Sequence, residues 1–258
     1  MRDITFVTSF SEEGYDLYGK KFIDGFVKHN PDIKLLVYYE TERPPSDIDY
    51  KNVLYISLSK VEGMIPFLQA MSAFPVMKGI VGGKRYYQYD AYKFCRKIFA
   101  QCDAATRASD ILCWIDADVE FDKPLHPAWV ESLFDERDDG LTPFCAVMKR
   151  PSWHLCASFV AWDMTHEQAL PFWNAYFDLL ISGRFLLMPE WHDSFLLEQV
   201  LTGMELDVKD IAAEYELTDG PVNVFDIVFN GVARHNKGNL KYADNEDVSE
   251  AKPAAAQG

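Results

Sequence analysis

The sequence predicts an α/β fold: one open mixed sheet flanked by helices within a single domain. Two apolar runs, "ITFVTSF" (4–10) and "IKLLVYYE" (33–40), bracket a helical stretch. That is the strand–helix–strand unit of a parallel sheet. A further apolar run, "ILCWI" (111–115), follows a long helical segment and repeats the alternation. The length, 258 residues, suits one large domain.

The elements follow in order. Residues 11–17, "SEEGYDL", read as a polar loop, and the first helix runs from Tyr18 to His29, with Phe22, Ile23 and Phe26 on its apolar side. Asn30-Pro31 stops it. "VLYISL" (53–58) is a third strand. Residues 62–84 carry six Gly or Pro and read as broken helix. "RYYQYDAYKFCRKIFAQC" (85–102) is a strong helix, with Tyr87, Ala91, Phe94 and Ile98 on its buried side. "FCAVMKR" (144–150) and "LCASFVAWD" (155–163) are strands. Helices follow over 166–183 and from about Asp193. The alternation holds to about residue 125 and is followed by a mixed remainder. The domain is expected to end near 244, and the acidic, Ala-rich tail 245–258 is expected to be disordered.

Composition narrows the function. Nearly half the residues are hydrophobic (48%), enough for a substantial core. The net charge of −15 argues against a general polyanion binder, because phosphate contacts need clustered Lys and Arg. It leaves room for a local basic pocket that takes one phosphorylated ligand. The five cysteines are odd in number and form no C-x-x-C pair, so free buried thiols are expected. The N-terminus "MRDITFVTSF" is too short and polar for a signal peptide, and no apolar run approaches the ~20 residues of a membrane span. The expectation is a soluble cytoplasmic protein.

"ILCWI" runs straight into Asp116-Ala117-Asp118. Ligands gather at the carboxyl ends of strands in open parallel sheets. Two such close carboxylates repel unless they share a cation or take up a proton. A hard divalent ion, Mn²⁺ or Mg²⁺, with these oxygens as ligands removes the repulsion and attracts a diphosphate. A solvated acidic turn is the alternative. In "ARHNKGNLKY" (233–242), His235 offers a third ligand, Lys237 and Lys241 offer phosphate contacts, and Gly238 allows close backbone approach. A surface loop with a chance histidine is the alternative there.

A strand ending in D-x-D resembles the GT-A glycosyltransferases, which bind a nucleotide-sugar diphosphate through Mn²⁺ or Mg²⁺. "VTSFSEEGYDLYGKKFIDGF" is similar to their nucleotide-binding first strand and helix. "RYYQYDAYKFCRKIFA", "EWHDSFLLE" and "RHNKGNLKY" resemble motifs of a bacterial and phage branch, and the resemblance spans roughly residues 3–242. It implies a GT-A (Rossmann-like) sheet, a nucleotide-sugar donor and a hydroxyl acceptor, which is a glycan, a small molecule or a modified nucleic acid. It further implies that Thr8, Ser9, Phe10, Tyr18 and Ala117 line the donor. Arg85, Asp90 and Lys93 are implied to touch its sugar or phosphates. For Asp90, Lys93 and Lys97 a solvated helix face is the alternative. The chain departs from the family at Leu240, where relatives are basic, and at Cys156, Ala157 and Ser158, where they tend to carry an acid and a glycine.

His192 and Asp193 open the helix after "PEW", with Glu190 close by. By resemblance Asp193 is the catalytic acid or base, or positions the sugar; otherwise it is an N-cap. Trp153, His154 and Ser158 are candidates for the acceptor side, or else core and edge-strand residues. A nucleotidyltransferase is a second enzymatic reading, weakened by the acidic loop after the first strand. A non-catalytic nucleotide or sugar binder is the third. A nuclease is disfavoured by the missing basic stripe.

Overall fold

The computed structural model describes residues 1–41, 50–217 and 223–236. Lys237, Gly238, Lys241 and the expected tail lie outside the described residues. In chain order the strands and helices are β1 (Ile4–Phe10), α1 (Glu12–Gly14), α2 (Lys20–His29), β2 (Lys34–Tyr39), β3 (Val53–Ser57), α3 (Met64–Ser72), β4 (Ile80–Val81), β5 (Lys84–Arg85), α4 (Ala91–Ala105) and β6 (Ile111–Ile115). The second half continues with β7 (Val119–Phe121), α5 (Pro127–Ser132), β8 (Cys145–Arg150), β9 (Trp153–Asp163), α6 (Ala169–Ile181), α7 (Asp193–Gly203), β10 (Val208–Asp210), α8 (Val224–Val228) and β11 (Ala233–His235).

Seven strands form one mixed sheet in the order β10-β8-β9-β6-β1-β2-β3. β3, β2, β1 and β6 are mutually parallel, and β9 runs antiparallel to β6 and β8. Alternation along each strand feeds two core layers. Val7, Leu112, Trp114, Val160 and Trp162 face α4, α6 and α7. Phe6, Ile111, Cys113 and Phe159 face α2, α5 and α8. Both faces are covered, which is why the central strands read as continuous apolar runs. The predicted α/β fold with an open mixed sheet is therefore present.

Three boundaries differ from the sequence expectation. Helix begins at Glu12, inside the predicted polar loop, because the Ser11 hydroxyl accepts from Gly14 N (3.1 Å) and two glutamates occupy the first turn. The path from Glu12 to His29 is helical, with a π-helical turn over Tyr15–Gly19. Gly19 is required there, since a Cβ would lie 2.9 Å from the Phe10 ring. The helix expected from residue 85 starts at Ala91; Asp90 caps it by accepting from Lys93 N (3.0 Å). Residues 80–85 instead form the β4–β5 hairpin, turned by Gly82 and Gly83 at positive φ, and Tyr87 is exposed rather than buried. All five cysteines are free, as expected. Among the described residues, no helix is long and apolar enough to cross a membrane.

Phe26 of α2 packs against Phe6 (ring centroids 5.3 Å) and Phe121 (5.5 Å), joining helix, sheet and β7. Phe26→Ala is expected to cost about 3–5 kcal/mol through lost burial and a cavity, read as a lower urea midpoint in equilibrium unfolding.

Candidate active site

The site forms where β1, β2 and β6 end. Asp116 follows β6, and its carboxylate oxygen Oδ1 accepts from Trp114 Nε1 (2.8 Å) and from Lys97 Nζ (2.9 Å). Lys97 comes from the middle of α4. Its ammonium also meets Asp193 Oδ2 (2.7 Å) and the Ala157 carbonyl (2.6 Å), and lies 4.7 Å from the Trp114 ring centroid. The ammonium thus has one acceptor for each N–H. Burial disfavours its charge, but Asp116 and Asp193 outweigh that and hold its pKa above the ordinary lysine value. Burial likewise acts against the Asp193 carboxylate, and Lys97 reverses it, leaving that pKa lowered.

His235 arrives from the far end of the sequence. The β7–β11 ribbon pairs His235 with Val119, and Asn236 N donates to the Asp118 carbonyl (2.9 Å). This register sets His235 Nε2 2.8 Å from Asp118 Oδ1 and 3.9 Å from Asp116 Oδ2. One ligand atom from each of Asp116, Asp118 and His235 lies within 4.8 Å of the others. Two further features fit a divalent cation. His235 Nδ1 is buried without a hydrogen-bond partner among the described residues, and Nε2 donates to Asp118 (2.8 Å) a proton that a bound cation would displace. Asp116, Asp118 and Asp193 carry three negative charges against one on Lys97, leaving two that a divalent ion balances.

A second His-carboxylate group lies nearby but is built differently. His192 caps α7: its Nδ1 accepts from Phe195 N (3.3 Å), so Nε2 carries the proton and donates to Glu190 (2.7 Å). That atom has no lone pair left for a metal. His154 Nδ1 meets Glu198 (2.7 Å), and its Nε2 lies 3.5 Å from Glu190. The result is a run of alternating histidine and carboxylate contacts, of which His154–Glu198 and His192–Glu190 are hydrogen bonds. The cap is therefore His192, not Asp193, whose carboxylate turns inward to Lys97.

Two clefts meet at the carboxylates. One, of about 430 Å³, is lined by Ser9, Phe10, Tyr18, Glu40, Arg96 and Ala117, together with Lys93, Asp116, Asp118 and Asp193. Burial first, then Asp118 and Asp116, push the Tyr18 pKa up to about 12, so its hydroxyl stays protonated beside the acids. The other, of about 710 Å³, shares Lys93, Asp116, Asp118 and Asp193 and adds Trp153, His154, Ser158, His192 and His235.

Three residues expected at the donor, Thr8, Arg85 and Asp90, line neither of these two clefts. Thr8 is fully buried within β1. Asp90 is the α4 cap, and Arg85 pairs with it (2.9 Å) from the exposed hairpin. Sequence reasoning left Lys97 on a polar helix face and did not single out Glu40, Arg96 or Glu198. The signal for Lys97 was present only as its run-on into Ile98, Phe99 and Ala100, all buried.

No family model matches the chain, and no curated protein matches it. Among solved structures it is similar to mouse xyloside xylosyltransferase 1 in its apo form, with a TM-score of 0.52 and 12% identity over 92% of this chain and 99% of that one. The shared architecture is the GT-A fold, a mixed sheet flanked by helices in one domain.

Lys97→Met leaves Asp193 buried and unpaired and is expected to cost about 3–5 kcal/mol at neutral pH. Lys97→Met/Asp193→Leu should recover most of that. The pH dependence should also change sign. In the wild type the lowered Asp193 pKa gives a contribution that is complete above the ordinary value of 3.8 and is lost as pH falls through the folded value. Without Lys97, burial raises Asp193, so acidification toward its pKa stabilises the variant. Urea unfolding from about pH 2 to about pH 7, a range that spans carboxylate titration, distinguishes the two: wild type loses stability below 3.8, whereas the variant gains it as the pH falls.

Proposed function

We propose that the chain is a divalent-metal-dependent glycosyltransferase that moves a sugar from a nucleotide-sugar donor to a hydroxyl acceptor. The observation that carries this reading is the convergence of Asp116, Asp118 and His235 where the two clefts meet, beyond the ends of β1 and β6. The GT-A fold supports it, as does the transferase activity in the name of the structural neighbour.

On this reading Ser9, Phe10 and Tyr18 face the nucleoside, and Ala117 lets the donor lie close to the carboxylates. Asp116, Asp118 and His235 would hold Mn²⁺ or Mg²⁺, which when bound would supply positive charge to the departing nucleotide diphosphate. Lys93 reaches into both clefts and offers a further positive charge. Lys237, Gly238 and Lys241 are assigned to the diphosphate on their sequence pattern alone. Asp193 positions the donor sugar. Its carboxylate is paired with Lys97, which favours its ionised form and makes it a strong hydrogen-bond acceptor. His192 supports that position as the α7 cap; burial lowers its pKa and keeps it neutral.

The test is a thermal-shift panel of nucleotide sugars with Mn²⁺ or with EDTA. A ligand that binds the folded state raises its apparent stability by mass action. One nucleotide class is expected to raise the melting temperature only with metal. Asp118→Ala and His235→Ala should remove that shift while remaining folded; a full metal-dependent shift in either would refute the assigned ligands. Asp193→Asn should retain the donor shift and lower transfer by at least ~100-fold, in the range for loss of one oriented polar contact.

A further inference from the structure

We propose that the β4–β5 hairpin and the turns beside it form a docking face for an anionic phospholipid bilayer, entered by Ile80 and Val81 and held by Lys78 and Lys84. The proposal goes beyond the transferase reading and does not depend on it.

The sequence marks this flank by charge. From Gly63 to Tyr89 the chain carries Lys78, Lys84 and Arg85 and neither Asp nor Glu, whereas the whole chain has 40 acids against 25 cations. A long acid-free stretch in so acidic a protein gives one part of the surface the opposite sign from the rest.

The hairpin projects from the body of the domain. Every residue from Ile80 to Tyr87 is exposed, and a Cβ added at Gly82 or Gly83 would meet nothing within 4 Å. Tyr86 N donates to the Gly79 carbonyl (2.7 Å) and closes the base. Ile80 pairs with Arg85 and Val81 with Lys84, so each face of this ribbon carries one apolar and one cationic side chain. A long cationic side chain keeps its charge among headgroups while its apolar neighbour enters the acyl boundary.

The ground around the hairpin is apolar as well. Phe74 is 54% exposed and Leu187 89%, and Tyr86 and Tyr87 are exposed between them in sequence. Leu187 lies in the turn Arg184–Leu187, which is held beside this segment: Phe185 packs on Phe67 of α3 (ring centroids 5.8 Å) and on Trp191 (6.0 Å), and Trp191 N donates to the Gln88 carbonyl (2.6 Å). Tyrosines at the rim of an apolar patch suit a boundary between hydrocarbon and water.

Charge selects the occupant. Arg85 is answered by Asp90 (2.9 Å) and Arg184 by Asp178. Lys78 lies 5.3 Å from the Tyr92 ring centroid, and neither it nor Lys84 forms an ion pair with a carboxylate among the described residues. A second copy docking by the same face would set cations against cations. A bilayer with anionic headgroups offers what the face lacks: apolar depth for Ile80, Val81 and Phe74, and negative charge for the two lysines. Tyr87 also lines the larger cleft, so the docked protein holds the mouth of that cleft beside the bilayer.

Vesicle flotation of the full chain tests this without donor or metal. The probes are vesicles of phosphatidylcholine alone and of a phosphatidylcholine–phosphatidylglycerol mixture. The chain is expected to float with the mixed vesicles, to stay behind with the neutral ones, and to bind less as salt is raised. Lys78→Ala/Lys84→Ala should weaken binding by roughly thirtyfold, the attraction of two cations to an anionic surface. Val81→Asp should weaken it by at least about tenfold. Both variants should keep the wild-type melting temperature, because the altered side chains are exposed. Lys28→Ala/Lys51→Ala removes the same charge near Asn30, at the other end of β2, and should bind as wild type. No flotation with mixed vesicles, equal flotation with neutral ones, or an equal loss in the Lys28/Lys51 variant would each overturn the proposal. Self-association in sedimentation velocity that Val81→Asp abolishes, with no vesicle binding, would overturn it and give the face to a second copy. Asp118→Ala should float as wild type, so failure here leaves the transferase reading untouched, and failure of the donor shift leaves the docking face standing.

Discussion

A buried lysine ammonium can be held in a protein interior only if its charge and its three N–H groups are answered there. Lys97 meets this condition with acceptors from three different elements: Asp116 at the end of β6, the Ala157 carbonyl on β9 and Asp193 at the start of α7. Because Lys97 itself belongs to α4, this single group locks two helices to two neighbouring strands at one point. It holds Asp116 and Asp193 on either side of one ammonium.

The arrangement also divides the labour of Asp116. One carboxylate oxygen is taken by Lys97 and Trp114, and the other faces His235. A residue tied at one oxygen presents the other in a fixed direction, which is what a metal ligand requires. Asp118 is positioned from the opposite side, through the β7–β11 ribbon and the backbone bond from Asn236. The two aspartates of the D-A-D run thus answer to different partners: Asp116 to the helical layer, Asp118 to a strand more than a hundred residues away in sequence.

Much of this was legible from residue order. The fully buried strands announce themselves as apolar runs, so β1, β2, β6 and the placement of Asp116 at a strand end follow from pattern alone. The convergence of His235 on the aspartates, by contrast, depends on β7 and β11, each three residues long. Three residues are too few for alternation to show, and their pairing is non-local. Lys97 was misplaced for another reason. Its spacing from Asp90 and Lys93 describes one helix face, but that face changes environment along its length: Lys93 reaches solvent, while Lys97 is buried against Trp114 and Asp116 at the end of β6. Periodicity reports the average surroundings of a face and cannot register such a change. The helix start at Glu12 was hidden by Gly14, which reads as a loop signal but packs against Tyr18, where a Cβ would lie 2.6 Å from the hydroxyl.

Charge explains how an acidic chain accommodates a diphosphate on the proposed reading. At physiological ionic strength the net charge of −15 is screened beyond about 8 Å, so donor binding is decided by groups within that distance of the cleft. There the protein alone supplies three carboxylates against Lys97, with Arg96 already answering Glu40 (3.0 Å). That residue set repels a diphosphate. With a divalent cation on Asp116, Asp118 and His235 the local charge is neutral, and Lys93 turns the balance positive toward the donor. On that reading the three carboxylates, which alone would exclude a diphosphate, are what make donor binding depend on an ion.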